Sequence, residues 1–290
     1  MEPNVEGMWD THIHCLDPAL YPFKSTRSYT PAPAPLEALI QQSRATRLVL
    51  VQASIENGPS GLLSHLGRIR ADYPHILARG IICMDENWGK LTNEDFDHLH
   101  GMGVRWCRIH AFFGGSATDA PRIQEQIRLF AQSYPFKQWG WGLSAQLPLK
   151  TWASLKDFIL YDPEVSGLRI MADHVACASP TDIGGSNLDN FVQLLQAGRV
   201  IVKVSALYRR CGKDITQMKP IIQRFAESAS FALIWGSDWP HVDATNRDAN
   251  PQAAPKLADP NKELVLLQSW LSSGQFQKML VDNPERLFGS

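Results

Sequence analysis

The chain has 290 residues, of which 44% are hydrophobic and 20% are charged, a balance typical of a globular protein with a large buried core. Its formal net charge is −1, so no basic surplus indicates nucleic acid or an anionic membrane as the main partner. No apolar run reaches the roughly 18 residues needed for a membrane span, and the N-terminal residues lack the pattern of a secretory signal. The five cysteines are scattered without a CxxC pair, which is typical of reduced thiols. We therefore expect a cytoplasmic protein, monomeric or homodimeric, whose partner is a small-molecule substrate rather than nucleic acid or a membrane.

Short runs of apolar, often β-branched residues alternate with longer amphipathic stretches along the chain. Runs such as RLVLVQAS and RVIVKVS are nearly continuous in apolar residues, which is typical of strands buried on both faces of a parallel sheet. The predicted strands are Met8–His14, Arg47–Ala53, Ile76–Cys83, Val104–His110, Trp141–Leu147, Leu168–Asp173, Val200–Ser205 and Phe231–Ser237. The predicted helical stretches are Pro35–Arg44, Pro59–Asp72, Thr92–His100, Pro121–Ser133, Leu149–Tyr161, Leu188–Ala197, Asp214–Ser228, Asn261–Ser272 and Gln275–Leu287.

This alternation predicts an α/β fold, namely a (β/α)8 TIM barrel in which residues 1–290 form a single domain. The alternative is an open, doubly wound parallel sheet. That fold favours a glycine-rich phosphate-binding turn after an early strand, and the sequence contains no GxGxxG pattern. In a TIM barrel the active site lies at the C-terminal ends of the strands. The residues at those ends are therefore the candidates for function.

Two histidines stand at the end of the first predicted strand, in the stretch WDTHIHCLD. Because side chains alternate along a strand, His12 and His14 point to the same face, and on the inner face both imidazoles reach the mouth of the barrel. His174 follows the sixth predicted strand and Asp238 follows the eighth. Three imidazoles and one carboxylate form a ligand set that Zn²⁺ or Mn²⁺ accepts. Each of these residues alone could have a structural role. The prediction of a shared site therefore depends on the fact that all four fall at the ends of three predicted strands.

Further polar residues at the strand ends are candidates for contacts with a substrate. Arg105 and Arg108 should face opposite ways on a regular strand, and the parity that Arg108 shares with His110 favours Arg108 as the inward residue. The candidates from the strand ends are Arg108, His110, Gln146, Lys203, Ser205, Tyr208, Arg209, Arg210 and His241.

The motifs DTHIH on strand one, DH after strand six and GSDWPH on strand eight resemble those of the amidohydrolase-related enzymes. Within them, YTP, VLVQAS and GVRW are similar to the branch of 2-pyrone-4,6-dicarboxylate lactonase and related lactone hydrolases. This resemblance implies a TIM-barrel hydrolase in which Asp238 activates water for attack on an ester carbonyl. The three histidines, or a metal that they hold with Asp238, would polarise that carbonyl. The resemblance also implies contacts with substrate carboxylates or carbonyls from Tyr29, Ser54, Arg105 and Arg209.

The need for a metal is left open by this resemblance, because enzymes of the branch are described both with and without one. Zn²⁺ or Mn²⁺ is a candidate cofactor, and a metal-free mechanism is the alternative. The expected function is hydrolysis of a lactone or ester ring in a small cyclic substrate, with aromatic, polyketide-like and carboxylated rings as candidates. Two alternatives are a metal-dependent decarboxylase of an aromatic or unsaturated carboxylic acid and a catalytically inactive binding barrel. The DWPH ending favours hydrolysis.

Overall fold

The computed structural model describes residues 5–110, 117–243, 250–251, 255 and 257–289. In these residues, eight parallel strands lie side by side in chain order. The predicted strands are all present, each a few residues shorter than or equal to its predicted length. They are β1 (Trp9–Ile13), β2 (Arg47–Val51), β3 (Leu77–Cys83), β4 (Val104–His110), β5 (Gly142–Gln146), β6 (Ile170–Ala172), β7 (Val200–Val204) and β8 (Leu233–Trp235).

The ends of this sheet meet where β1 approaches the segment after β8. Ile13 forms a parallel bridge with Trp239, and the backbone N–H of His14 donates to the Trp239 carbonyl at 2.8 Å. The Thr11 hydroxyl donates to the Trp235 carbonyl at 2.6 Å. The strands therefore form a nearly closed barrel, which confirms the predicted (β/α)8 fold. That residues 1–290 form one domain stays a prediction.

The helices of the described residues connect the strands and extend past β8. The predicted stretch 149–161 is divided at Leu155, and the predicted stretch 275–287 contains a π-helical turn at Lys278–Asp282. None of the described helices is both long and apolar enough to cross a membrane. The α-helices are α1 (Leu36–Gln42), α2 (Ser60–Asp72), α3 (Asn93–Met102), α4 (Ala120–Ala131), α5 (Tyr134–Trp139), α6 (Leu149–Ser154), α7 (Lys156–Tyr161), α8 (Ser186–Gln196), α9 (Tyr208–Cys211), α10 (Lys219–Ala229), α11 (Pro260–Trp270), α12 (Ser273–Gln277) and α13 (Asn283–Phe288).

One end of the barrel interior is filled by aromatic side chains. Trp9 and Trp106 are fully buried there, and both pack on Phe288 of α13, with ring centroids 5.8 and 5.6 Å from the Phe288 ring. Val49, Ile81 and other inward residues of the strands complete this inner apolar cluster. Because this end holds packed side chains, it leaves the opposite, C-terminal end of the strands for a polar site.

A β-bulge in β1 decides which face its histidines occupy. Trp9 belongs to the inner apolar cluster, so strict alternation would turn His12 and His14 away from the interior. The register between β1 and β2 shifts between Asp10 and Ile13. This shift changes the parity of the strand, and both imidazoles lie inside the barrel with Trp9.

Gly142 at the start of β5 lies directly against Trp106. A Cβ at this position would overlap the Trp106 ring, which is fully buried. The absence of a side chain at Gly142 therefore makes room for the indole of Trp106 in the inner apolar cluster.

Gly142→Ala should lower the free energy of unfolding by roughly 1–3 kcal/mol, because overpacking a rigid core displaces side chains. Gly101→Ala is the matched control: Gly101 is exposed inside α3, and a Cβ there meets no atom within 4 Å. That control should raise stability by about 0.5–1 kcal/mol, since glycine is unfavourable within a helix. Urea unfolding of both variants measures the difference, and effects of the same sign would contradict the packing argument.

Candidate active site

Asp238 and three histidines meet at the C-terminal end of the barrel. The Asp238 Oδ1 atom lies 3.7 Å from His12 Nε2, 4.0 Å from His14 Nε2 and 3.9 Å from His174 Nε2. The Nε2 atoms of His12 and His14 are 3.2 Å apart. All four side chains are buried. The structure thus brings together the residues that the strand ends suggested.

Local backbone geometry aims two of these residues into the cluster. His174 begins a turn, His174–Cys177, in which all four residues have φ between 52° and 58°. Asp238 also has a positive φ, 62°. The left-handed conformation costs roughly 1–2 kcal/mol for each such residue, and strain of this kind concentrates at functional sites. Two of these strained residues, His174 and Asp238, carry the candidate chemistry.

Gly236 allows β8 to approach β1 at the cluster. A Cβ on Gly236 would lie 2.6 Å from the Cβ of His12 and 2.7 Å from its backbone nitrogen. The backbone N–H of Asp238 then donates to the His12 carbonyl at 2.9 Å. The glycine of the GSDWPH motif therefore permits the close contact that places Asp238 beside His12.

Each imidazole is held through its Nδ1 atom. His14 Nδ1 lies 2.7 Å from the Val51 carbonyl, which can only accept, so the ring proton of a neutral His14 is on Nδ1. His174 Nδ1 contacts the Ser205 hydroxyl at 2.8 Å, and His12 Nδ1 contacts Lys203 Nζ at 3.1 Å. Burial lowers the pKa of His14 to about 4 and that of His174 to about 3, and it lowers the pKa of His12 well below its usual value. The three rings are therefore neutral at neutral pH.

Asp238 forms an ion pair with Arg209, whose Nη2 lies 2.6 Å from Asp238 Oδ2. Burial alone would raise the pKa of Asp238, but the Arg209 guanidinium holds the pKa of this carboxyl below its usual value. Arg209 itself is fixed by Tyr208, whose hydroxyl accepts from Nε at 3.0 Å, and by the Val242 carbonyl at 2.9 Å. Asp238 is consequently ionised, with Oδ2 occupied by Arg209 and Oδ1 turned toward the imidazoles.

A cavity of about 720 Å³ opens above the cluster, which lies within the usual range for small-molecule sites. Cationic and anionic side chains both line it, with Arg108, Arg209 and Arg210 facing Asp238 and Asp243. Leu257 and Val242 contribute apolar wall. The predicted site residues that line the cavity are His14, Tyr29, Ser54, Arg108, His110, Gln146, His174, Tyr208, Arg209, Arg210 and Asp238.

Five predicted site residues do not line the cavity. Two of them, Lys203 and Ser205, contact the rings of His12 and His174 instead. Arg105 donates to the carbonyls of His100 and Val104 at 2.8 and 2.9 Å, at the opposite end of β4, so Arg108 replaces it as the inward arginine. This corrects the expectation from the resemblance and agrees with strand parity. His241 lines two hollows beside the barrel instead of the central cavity. His12 is fully buried and does not line the cavity.

Sequence reasoning missed a buried carboxylate below the cavity. Asp173 Oδ2 accepts from Arg108 Nε at 2.7 Å, and Oδ1 accepts from the Ser144 hydroxyl at 3.0 Å. Lys203 Nζ lies 3.3 Å from the same Oδ1 atom. Burial would raise the pKa of Asp173, but Lys203 and Arg108 hold it far below its usual range. The signal that could have found Asp173 was its position at the end of the sixth predicted strand, beside His174.

The cluster has the composition of a divalent metal site. The ligand atoms of His12, His14 and Asp238 lie within 4.8 Å of one another, and two nitrogens with one carboxylate oxygen suit Zn²⁺. A His12 that binds metal through Nε2 must carry its proton on Nδ1 and donate it to an acceptor. The neighbour of Nδ1 is the Lys203 amine at 3.1 Å, whereas Asp173 Oδ1 is 3.8 Å away. The atom types fit a metal, but the hydrogen bonding of His12 does not.

Comparison with known proteins bears on this site. The family profile described as amidohydrolase matches residues 163–290, which include β6 to β8 and both His174 and Asp238. Over these residues the chain is similar to the amidohydrolases. Its relatives include 4-sulfomuconolactone hydrolases from Hydrogenophaga intermedia (25% identical, covering 98% of this chain and 89% of the relative) and Rhizobium radiobacter (27%, 98% and 90%). A 2-pyrone-4,6-dicarboxylate hydrolase from Comamonas testosteroni is 24% identical over 97% of this chain and 90% of its own. The resemblance drawn from the motifs is confirmed.

Solved structures show the same fold. An amidohydrolase from Burkholderia multivorans with bound HEPES superposes with a TM-score of 0.64 at 16% identity, over 97% of this chain and 99% of its own. Another crystal form of an amidohydrolase from this organism, with bound Zn, gives 0.65 at the same identity and coverage. At 16% identity this similarity supports the barrel fold of the present chain and nothing beyond the fold.

Two buried glutamates hold the loops that carry site residues. Glu263 in α11 accepts from the backbone N–H of Leu207 at 3.3 Å, beside the turn that bears Arg209. Glu56 accepts from the backbone N–H of Ala53, a cavity-lining residue, at 2.6 Å. Burial raises the pKa of each to about 8. Both carboxyls are therefore protonated over much of the range in which exposed glutamates are charged.

The stability of the protein should consequently fall as pH rises from the ordinary glutamate value of 4.5 to about 8. Since the folded pKa is raised, the folded state binds more protons than the unfolded state, and stability present below the unfolded pKa is lost as pH passes through the folded pKa. Each group contributes at most about 1.4 kcal/mol per pH unit. Glu263→Gln should flatten this slope in urea titrations between these pH values. Glu227→Gln, an exposed change on α10, should leave the slope of stability against pH as in the wild type. Equal slopes in all three proteins would show that Glu263 does not cause the pH dependence.

Proposed function

We propose that this chain is a hydrolase that opens the lactone ring of a small, negatively charged cyclic substrate. The observation that carries the proposal is the ionised Asp238 carboxylate at the floor of an arginine-lined cavity, surrounded by neutral imidazoles. Relatives over nearly the whole chain are hydrolases whose names specify a sulfonated lactone and a pyrone dicarboxylate. At about a quarter of residues identical, these relatives support the reaction class and the anionic character of the substrate.

Asp238 is the proposed general base. A water molecule gives a proton to its Oδ1 atom while the water oxygen forms a bond to the lactone carbonyl carbon. The ring carbon–oxygen bond of the tetrahedral intermediate then breaks, and the departing ring oxygen takes the proton back from Asp238. The product is a hydroxy acid or its keto tautomer, and the carboxylate is regenerated.

Arg108 and His174 are the proposed stabilisers of the oxyanion, because both line the cavity beside Asp238. Arg108 is aimed from below by Asp173 and from the side by Gln146, whose Oε1 accepts from Nη2 at 3.0 Å. A donor that is fixed before the reaction needs no reorganisation as charge develops. Arg209, Arg210 and Tyr29 are the proposed contacts for the substrate's anionic group.

A second candidate is hydrolysis with a divalent metal held by His12, His14 and Asp238, with His174 nearby. The spacing of the ligand atoms and the Zn bound in an amidohydrolase of the same fold favour it. Such a metal would polarise the carbonyl and lower the pKa of water. The hydrogen bonding of His12 opposes this candidate, so no step above uses a metal.

The decisive experiment is a panel of γ- and δ-lactones, with and without a ring carboxylate, incubated with the purified chain in weak buffer. Ring opening releases one proton per turnover, which an indicator dye detects. We expect proton release with the carboxylated lactones and none of the gas expected of a decarboxylase. Release of CO₂ from an aromatic acid without consumption of water would replace hydrolysis by decarboxylation, and tight binding without turnover would indicate a binding barrel.

Asp238→Asn should lower kcat by roughly 10²–10⁴-fold, because an amide cannot accept the proton from water. The variant keeps the size of the side chain, so its circular dichroism and its affinity for a product analogue should remain close to the wild type. Asp157→Asn, at a position with 79% side-chain exposure, is the matched carboxylate control. An Asp238→Asn variant with wild-type turnover would eliminate this residue as the base.

Arg209→Gln should change both substrate binding and the pH profile. Loss of the guanidinium should raise KM for a carboxylated lactone by about 10–100-fold, from roughly 1.5–3 kcal/mol for a charged hydrogen bond, with a smaller effect on a neutral lactone. Because Arg209 lowers the pKa of Asp238, its removal should also move the acid limb of kcat to higher pH. Steady-state kinetics across pH measure both effects; an unchanged acid limb would show that Asp238 does not control it.

A further inference from the structure

We propose that Lys203 is a positioning residue that fixes the ring proton of His12 on Nε2 and thereby keeps His12 from binding a metal. This inference concerns the proposed hydrolytic site. Its tests need no substrate, so they can fail while the proposed reaction holds, and the reverse.

Lys203 lies wholly inside the barrel. It is on β7, its side chain has no exposed surface, and it does not line the cavity. Its Nζ lies 3.3 Å from Asp173 Oδ1 and 3.1 Å from His12 Nδ1. Burial lowers the pKa of Lys203, but the ion pair with Asp173 opposes this and favours the ammonium, which offers only donors. One of its N–H bonds points to the Asp173 carboxylate and another to the His12 ring.

This contact decides the tautomer of His12. A ring nitrogen that accepts from an ammonium must carry a lone pair, so the proton of a neutral His12 is on Nε2. That N–H faces His14 Nε2 at 3.2 Å. His14 donates from Nδ1 to the Val51 carbonyl, so its Nε2 is an acceptor. The hydrogen bonds therefore run in one direction, from Lys203 through His12 and His14 to Val51, with every ring nitrogen satisfied.

The same arrangement opposes a metal in two ways. An Nε2 atom that carries a proton has no lone pair for a cation. The buried charges around the cluster are also already balanced, because Lys203, Arg108 and Arg209 accompany the carboxylates of Asp10, Asp173 and Asp238. A divalent cation held there would therefore add uncompensated positive charge in a region of low dielectric.

Lys203→Gln is the informative variant. The glutamine amide nitrogen can donate a hydrogen bond to Asp173, and its oxygen can accept one from His12 Nδ1. With its proton on Nδ1, His12 has a lone pair on Nε2 that can bind a metal. Wild type, Lys203→Gln and the double variant Lys203→Gln/His12→Ala would be equilibrated with Zn²⁺, desalted, and measured by elemental mass spectrometry. We expect less than a tenth of an equivalent in wild type, about one in Lys203→Gln and loss of that zinc in the double variant. About one zinc in wild type, lost in His12→Ala, would overturn the proposal.

A second measurement uses the wild-type protein alone and covers the case in which Lys203→Gln does not fold. Long-range proton–nitrogen spectra of ¹⁵N-histidine-labelled protein distinguish protonated from unprotonated ring nitrogens. The His12 signals are assigned by their disappearance in His12→Gln. We expect a protonated Nε2 and an unprotonated Nδ1 for His12. A protonated Nδ1 would overturn the proposal irrespective of the zinc result.

Discussion

The buried carboxylate of Asp173 is the interaction on which the site depends. It accepts hydrogen bonds from Arg108 and Ser144 and forms an ion pair with Lys203. Asp173, Ser144 and Lys203 are fully buried, and Arg108 is almost fully buried. An unpaired charge at this depth would cost several kcal/mol. Asp173 thus interacts with two cations. Arg108 also lines the cavity, and Lys203 also contacts His12. The buried Asp173 carboxylate therefore holds two cations beside the reacting groups.

The barrel geometry explains how residues so distant in sequence reach this carboxylate. Arg108, Ser144, Asp173 and Lys203 lie on or just after four consecutive strands. Arg108 pairs with Ser144 in the register, and Asp173 and Lys203 lie two residues farther along their strands. In a closed parallel barrel the inward side chains form layers to which alternate strands contribute, so the residues of neighbouring strands interleave. The apolar layer of Trp9, Trp106 and Phe288 lies below these residues, and the His and Asp238 cluster lies above. The catalytic layer therefore rests on a charged layer, which rests on an aromatic one.

Much of this architecture could be predicted from the sequence, and the exceptions have physical causes. Continuous apolar runs identified the strands because both faces of a parallel barrel are buried. Strand ends identified His14, His174 and Asp238 because the fold brings those ends together. Parity favoured Arg108 and the resemblance favoured Arg105, so the sequence left the inward arginine open. The β1 bulge could not be foreseen, since it breaks the parity on which such reasoning depends. Asp173 was missed because its partners, Arg108 and Lys203, come from different strands, and only the closed barrel shows that they meet.

The charge arrangement also determines which group takes the proton during hydrolysis. Protonation of an imidazole would create a buried cation beside Lys203, Arg108 and Arg209, and these cations contribute to the low pKa values of the histidines, after burial itself. Protonation of Asp238 instead removes a negative charge, and Arg209 remains to interact with the anionic substrate or product. Creating a charged group in a buried site is costly, whereas neutralising one is not. The Asp238 carboxylate is therefore favoured over the imidazoles as the acceptor of the proton. The imidazoles then serve as neutral hydrogen-bonding groups, and their fixed tautomers matter more than their basicity.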